Sequence, residues 1–309
     1  MKIVFVEPLG VSENILQSTK NFFEKMGHQF SYFLDRNEDE TEIINRVKFA
    51  DIITVSNIPI TKKIISECEN LKFINVAFTG IDHVDIKECI KRNIFIKNAA
   101  GYATTAVAEL VLGLTLNLLK KISYLDKKTR ELKTRENFLG EELFGKTVGI
   151  FGLGTIGTAT AKLFSAFGCE ILAYNRTPKI MENVKFVSQK YLFENSDIIS
   201  LHIPANQETK NIINAELLSK MKLNAILINT ARGQIIDYQY LSELLKNHKI
   251  AGAAIDVYET EPPIMENHPL LSAPNTILVP HIGYASKQAM VKRLEIVNNN
   301  IIDYLENLK

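Results

Sequence analysis

The sequence predicts an α/β protein built from two doubly wound, parallel-sheet domains. Three observations carry that expectation. The chain has 309 residues, more than one ordinary domain holds. Short apolar runs alternate with amphipathic stretches from end to end. One of those runs, Thr147–Phe151, feeds directly into a glycine-rich turn, Gly152-x-Gly154-x-x-Gly157. Strands separated by helical segments of about 10–15 residues predict parallel sheets with helices on both faces.

The first expected strands are 3–6, Ile52–Val55 and 73–77, each followed by a polar, helix-like segment. The stretch 106–119 carries apolar residues at helical spacing and is long enough for a core or interface helix. A turn-rich segment, 140–145, precedes the second set of strands: Thr147–Phe151, Glu170–Tyr174, Ile198–Leu201, 225–229, 251–255 and 276–279. After Pro280 one last helix, 286–308, is expected. Its return to the first domain would make that domain discontinuous: 1–98 plus 285–309, with 99–284 as the second domain.

Composition excludes several classes of partner. The chain is 46% hydrophobic, and 36 basic against 35 acidic residues leave a net charge of +1, so no nucleic-acid partner is implied. Lys120, Lys121, Lys127 and Lys128 read as a solvated helix face. Cys68, Cys89 and Cys169 form no Cys-x-x-Cys pair, which suits a reducing cytoplasm and implies neither a disulfide framework nor a metal site. The N-terminal run reads as a buried strand rather than a signal peptide. The stretch 106–119, broken by Glu109, Thr115 and Asn117, falls short of the ~20 apolar residues that a membrane span needs. A soluble, cytoplasmic protein is expected.

A lone glycine triplet is weak evidence, but here it sits between a β-branched strand and an alanine-rich helix, with a further strand after it. In that setting Gly152 permits the tight turn and Gly154 admits a pyrophosphate. Gly157 lets helix and strand pack closely. The free N–H groups at the helix start, at Thr155 and Ile156, hold phosphates with the helix dipole. This is a dinucleotide site of Rossmann type. The residue that chooses between cofactors lies about 20 positions on. It falls in Asn175-Arg176-Thr177, where no carboxylate repels a 2′-phosphate and Arg176 with Thr177 can bind one. NADP(H) use is therefore expected, with NAD(H) remaining open. The alternative is that Arg176 is a solvated loop residue.

Three more segments lie at strand ends, where open α/β sheets bind ligands: 229–233, 256–262 and 280–284. They bring Arg232, Glu261 and His281 to one edge. Reduction of a 2-oxo acid calls for that set. Arg232 offers a planar, two-pronged cation to carboxylate and carbonyl oxygen. His281 is suited to give a proton near pH 7. Glu261 would orient the ring and favour its charged form. Any one of them alone reads as a loop histidine, a solvated acid or a surface cation. Their joint occurrence at successive strand ends is what points to catalysis. His28, His83, His248 and His268 lie in segments without a convergent partner.

Taken in order, Gly152–Gly157, Ser200-Leu-His-Ile-Pro204 with Glu208-Thr209-Lys210, Ile228-Asn-Thr-Ala-Arg-Gly233 with Asp237, 256–262 and 280–283 resemble the D-isomer-specific 2-hydroxyacid dehydrogenases. The similarity extends to Thr79-Gly80-Ile81-Asp82 and Ala106-Val-Ala-Glu109, and so covers nearly the whole chain. The resemblance implies two Rossmann-like domains with the active site in the cleft between them, usually as a homodimer formed through the cofactor domain. It implies Arg232 as the substrate-binding arginine, His281 as the acid/base and Glu261 as its partner. Backbone N–H groups near Thr79 and Gly80 would hold the substrate carboxylate. His202, Ile203, Pro204, Thr209, Thr230, Ala231, Asp256 and Gly283, with His281, would line the cofactor crevice.

Members acting on 3-phosphoglycerate resemble one another in a basic loop where this chain has Val55-Ser56-Asn57-Ile58-Pro59, and the chain ends at Lys309 without room for their regulatory domain. Glyoxylate, hydroxypyruvate or a short apolar 2-oxo acid is therefore expected as substrate. The alternatives are a phosphoglycerate dehydrogenase, a formate or phosphonate oxidiser and, from another class, a non-catalytic NAD(H)-sensing scaffold like the family's corepressors. The scaffold reading needs partner-binding extensions that the chain hardly has.

Overall fold

The computed structural model describes residues 1–177, 180–260 and 263–307, and in it every expected strand forms. Contacts divide the chain into two units, Met1–Ala103 with Ala285–Lys309, and Thr104–Tyr284.

The first unit holds a five-stranded sheet of β1 (Lys2–Phe5), β2 (Gln29–Tyr32), β3 (Ile52–Val55), β4 (Phe73–Val76) and β5 (Phe95–Asn98). The order is β2-β1-β3-β4-β5 and all pairs are parallel. β3 and β4 are buried at every position, as continuous apolar runs covered on both faces must be. Side-chain caps start the crossover helices. Asp39 accepts from Glu42 N, Thr61 from Ile64 N and Asp85 from Glu88 N.

The last helix, Lys287–Glu306, is capped by Ser286, which accepts from Ala289 N at 3.1 Å. It lies on β4 and β5 through a buried amide network. Asn75 Nδ2 donates to Val297 O at 2.9 Å, and Asn300 Nδ2 donates to Asn75 Oδ1 and Asn98 O, each at 3.1 Å. Pairing these buried amides with one another and with backbone avoids the cost of burying them unsatisfied. The division between units falls after Ala103 rather than at the expected 98/99. Ala99 N donates to Phe78 O at 3.0 Å, which keeps the turn after β5 with the first sheet.

The second unit holds β6 (Thr147–Phe151), β7 (Glu170–Tyr174), β8 (Val184–Phe186), β9 (Ile198–Leu201), β10 (Ile226–Asn229), β11 (Gly252–Ile255) and β12 (Thr276–Leu278). The order is β12-β11-β10-β9-β6-β7-β8, again all parallel. The chain steps from β6 outward to β7 and β8, then returns to the other side of β6 with β9. That reversal opens a crevice beyond the carboxyl ends of β6 and β9, where ligands bind in open parallel sheets. The helix Thr104–Lys120 buries Val107, Ala108, Val111, Leu114, Thr115 and Leu119 and packs on the helix Thr155–Ala166. The helix after it, Ile122–Arg130, buries none of its residues. No helix among the described residues is long and apolar enough to cross a membrane.

Candidate active site

β6 ends at Gly152, whose φ of +104° is a conformation that side chains rarely adopt. A Cβ there would stand 2.6 Å from the His202 carbonyl oxygen and 2.7 Å from an Ile203 methyl. The turn after β6 is therefore pressed against the turn after β9. At Gly157 a Cβ would overlap the Gly152 carbonyl oxygen outright. Gly154 is different, since nothing lies within 4 Å of the place a Cβ would take. It stands at the cap of the helix Thr155–Ala166, with no side chain bonded across the helix start. The first N–H groups, including those of Thr155 and Ile156, have no intrahelical partners, and the positive end of the dipole lies there too. The glycine turn fits a dinucleotide pyrophosphate.

The side chains around it are largely engaged in shaping the crevice. Asn175 Oδ1 accepts from Leu153 N at 2.9 Å and its Nδ2 donates to Thr177 O at 3.2 Å, so this residue holds the glycine turn. Arg176 pairs with Glu208 at 2.6 Å, both side chains well exposed at 82% and 71%. Thr209 Oγ1 accepts from Asn206 N and donates to Pro204 O, closing the loop after β9. His202 shares a 2.8 Å hydrogen bond with Ser200 Oγ. Desolvation lowers its pKa to about 4, so near pH 7 it brings no charge to the crevice. Thr230 Oγ1, just past β10, is buried without a hydrogen-bond partner, which suits a polar group arriving from a ligand.

The turns after β10, β11 and β12 form one bonded block. Asn229, fully buried, accepts from Ala231 N at 3.0 Å and donates to Arg232 O at 2.9 Å and Tyr238 Oη at 3.0 Å. Tyr238 Oη donates in turn to Val257 O at 2.7 Å. Gly233 lies so close to the 258–259 backbone that a Cβ would overlap it. Arg232 thus leaves a turn fixed to the segment after β11, and its Nη1 donates to Ala231 O at 2.7 Å.

On the other side of β11, Asp256 governs the histidine turn. His281 N donates to Asp256 O at 2.9 Å. The Asp256 carboxylate accepts from Ile282 N at 2.6 Å and from Gly283 N at 2.9 Å. Those bonds hold His281 at a φ of +53°, with its ring 5.5 Å from that of Tyr284 at 81°. The Asp256 carboxylate is 0% exposed and bonded to the histidine turn. Gly283 likewise has no room for a side chain, because a Cβ would lie 2.9 Å from Asp256 Oδ2.

The structure therefore places Arg232 and His281 on the same edge of one sheet, after β10 and β12 on either side of β11, together with Gly152, Gly154, Gly157, Asn175, His202, Ile203, Pro204, Thr230, Ala231 and Asp256. Glu261 lies outside the described residues. Thr79 and Gly80 follow β4 in the first unit. There Asn98 Nδ2 donates to Thr79 O at 2.6 Å.

Tyr238, His268 and Glu7, which no motif singles out, hold strand ends, and Asn229 does so from within the arginine segment. Asn229 and Tyr238 fix the arginine turn. His268, expected to lack a partner, is buried, meets Glu259 at 3.1 Å and lies edge-on to Tyr238 and Tyr258. Its partner comes from an acidic loop read as solvated. Glu7 binds the loop after β3. Its trace in the sequence is its place directly before Pro8, since a carboxylate ending a buried strand is an uncommon placement.

The residues 112–283 match the family described as D-isomer specific 2-hydroxyacid dehydrogenase, NAD binding domain. The chain is 39% identical over 276 residues to a glyoxylate reductase of Thermofilum pendens, covering 86% of this chain and 81% of that one. It is 33% identical to a hydroxypyruvate reductase of Blautia hydrogenotrophica, covering 92% and 91%. Among solved structures, an acyclic imino acid reductase in complex with NADPH and D-Arg superposes with a TM-score of 0.91 at 32% identity, over 99% of this chain and 98% of that one.

Proposed function

The chain belongs to the D-isomer specific 2-hydroxyacid dehydrogenases, and from that premise we propose that it reduces a small, unphosphorylated 2-oxo acid to the D-2-hydroxy acid. It is an NAD(P)-dependent oxidoreductase acting on CH–OH donors. The observation that carries the reading is the bonded block around β11, in which Asn229, Tyr238 and Asp256 tie an arginine turn and a histidine turn to the segment between them. Groups fixed in this way need no reorganisation as charge develops.

Arg232 binds the substrate carboxylate and polarises the carbonyl. The N–H groups near Thr79 and Gly80 take part in holding the carboxylate. His281 gives its proton to the carbonyl oxygen as that oxygen becomes an alkoxide, and Glu261 orients the ring. When bound, NAD(P)H supplies the hydride to the carbonyl carbon. A hydride and a proton together convert the 2-oxo acid to the 2-hydroxy acid. A phosphorylated substrate is disfavoured, because the guanidinium beside the loop after β3, Arg36, is already held by Glu7 and Glu38.

The test is a panel of 2-oxo acids followed at the nicotinamide absorbance with NADH and with NADPH. Turnover of glyoxylate or hydroxypyruvate supports the reading, and inertness toward the whole panel rejects it. The same panel addresses cofactor choice. NADPH should serve at least as well as NADH, with Arg176 taking the 2′-phosphate. An exposed pair such as Arg176–Glu208 is worth about 0–1 kcal/mol, so the phosphate can displace Glu208. Glu208→Gln should therefore raise kcat/KM for NADPH about two- to fivefold relative to NADH. A strong NADH preference in both proteins would refute the role of Arg176.

A homodimer in the cytoplasm completes the proposal. The helix Ile122–Arg130 buries no residue, and its Ile122 and Tyr124, with Leu139 and Phe144 later in the chain, are exposed apolar side chains that a second copy would cover. Sedimentation should give twice 34.9 kDa. Ile122→Lys with Tyr124→Lys should shift the mass to the monomer, and a wild-type monomer would remove the proposal. The three cysteines are buried and unpaired, as suits a reducing compartment.

A further inference from the structure

The loop after β3 is held in an unusual way. Glu7, at the end of β1, is only 3% exposed. Its Oε1 accepts three consecutive backbone N–H groups, from Ser56 at 2.7 Å and from Asn57 and Ile58 at 3.0 Å each. Its Oε2 pairs with Arg36 Nη1 at 2.6 Å. That nitrogen also donates to Asn57 Oδ1 at 2.7 Å, while the rest of the guanidinium is held by Glu38.

A guanidinium can only donate, so Arg36 dictates which end of the Asn57 carboxamide faces it. The oxygen is taken, and the Nδ2 donor points the other way with no hydrogen bond of its own among the described residues. The loop is also stitched to the one after β4. Ala77 N donates to Val55 O at 2.6 Å, and Ile60 N donates to His83 O at 2.8 Å. Asn57 lies between those two ties, and Thr79 and Gly80 lie between them on the facing segment.

We propose that Asn57 is a specificity-determining residue, positioned by Glu7 and Arg36, whose Nδ2 donates to a hydroxyl on C3 of the substrate. The inference rests on the reading that Thr79 and Gly80, on the segment tied to the 56–58 loop, hold the substrate carboxylate. It selects 3-hydroxy-2-oxo acids over their 3-methyl or unsubstituted counterparts. A carboxamide locked by a guanidinium loses little freedom on binding, and a site built to bond a hydroxyl discriminates against analogues that lack it.

Hydroxypyruvate and pyruvate differ by that one hydroxyl, so the ratio of their kcat/KM values reads the contact directly. Wild-type enzyme should favour hydroxypyruvate about tenfold, the size expected for one hydrogen bond. Asn57→Leu keeps the approximate volume but can neither donate to nor accept from the hydroxyl, and should bring the ratio to about one through KM for hydroxypyruvate. Arg36→Gln releases the carboxamide and should lower the ratio part of the way. Glu7→Gln, which faces an amide nitrogen toward Arg36, should do the same. Because the ratio is internal to each preparation, partial loss of folded protein cannot produce the change. An active wild-type enzyme with no preference for hydroxypyruvate, or variants that keep the preference, would overturn this inference and leave the proposed function standing. A wild-type enzyme that reduces no 2-oxo acid would remove both.

Discussion

Replacing His281 with alanine lowers kcat for 2-oxo acid reduction by about 10²–10⁴-fold, the range over which a positioned general acid acts. The experiment needs care because of where the residue sits. At a φ of +53° an alanine is strained, which costs about 1–3 kcal/mol and would itself depress activity through loss of folded enzyme. His281→Asn separates the two effects. Asparagine tolerates the left-handed region, and its amide neither gives up nor takes on a proton near pH 7. The asparagine variant should unfold close to the wild-type temperature, while its kcat falls as far as that of the alanine variant. Arg232→Ala, measured beside them, should damage KM and kcat together, since carboxylate binding and carbonyl polarisation share one side chain. Retention of near-normal kcat in both His281 variants would show that the proton comes from elsewhere.

The reason these effects should be large lies in the wiring, and the wiring was less legible than the residues. Arg232 and His281 were readable because their chemistry is specific and because both follow apolar runs. The side chains that hold them are ordinary by type. Asp256 is expected along the crevice and Asn229 only as the first residue of the arginine segment, and both are fully buried and bonded to nearby turns. A polar residue that ends a buried strand has no solvent to satisfy it, so its partner must be another turn on the same edge. Which turn depends on strand order, and strand order is a long-range property that spacing along the chain does not reveal.

The same distinction explains the fold. The nine expected strands include every interior strand of both sheets, because burial on two faces forces a continuous apolar run. β2, β5 and β8 were not anticipated. Each is an edge strand, with burial limited to one residue in Gln29–Tyr32 and to none in Phe95–Asn98 and Val184–Phe186. A strand with one neighbour and a wet flank needs little apolar character, so Phe95-Ile-Lys-Asn98 carries no long apolar run to mark it. The Asn57 site was hidden for a related reason. Arg36 stands 21 positions before Asn57, so the loop's own residues contain no arginine and the guanidinium beside it comes from a distant segment.

The two glycines of the cofactor turn lead to opposite expectations, although both substitutions add a single methyl group. At Gly157 the new Cβ would overlap the Gly152 carbonyl oxygen and approach an Ile150 methyl at 3.2 Å, so the helix Thr155–Ala166 must move away from β6. Overpacking of this kind costs about 1–3 kcal/mol. It also shifts the N–H groups at the helix start, and a misplacement of about 1 Å in a positioned site can cost about a hundredfold. Gly157→Ala should therefore lower the unfolding temperature and raise KM for NAD(P)H together. At Gly154 nothing lies within 4 Å of the added methyl, and the local φ of −79° suits alanine. Gly154→Ala should leave the unfolding temperature unchanged and still raise KM for the cofactor about tenfold or more, because the methyl occupies the ground where the pyrophosphate must approach the backbone. Thermal unfolding and cofactor KM measured on the two variants distinguish a packing glycine from a binding glycine. A Gly154→Ala enzyme that binds NAD(P)H as tightly as wild type would mean the pyrophosphate does not lie over this turn.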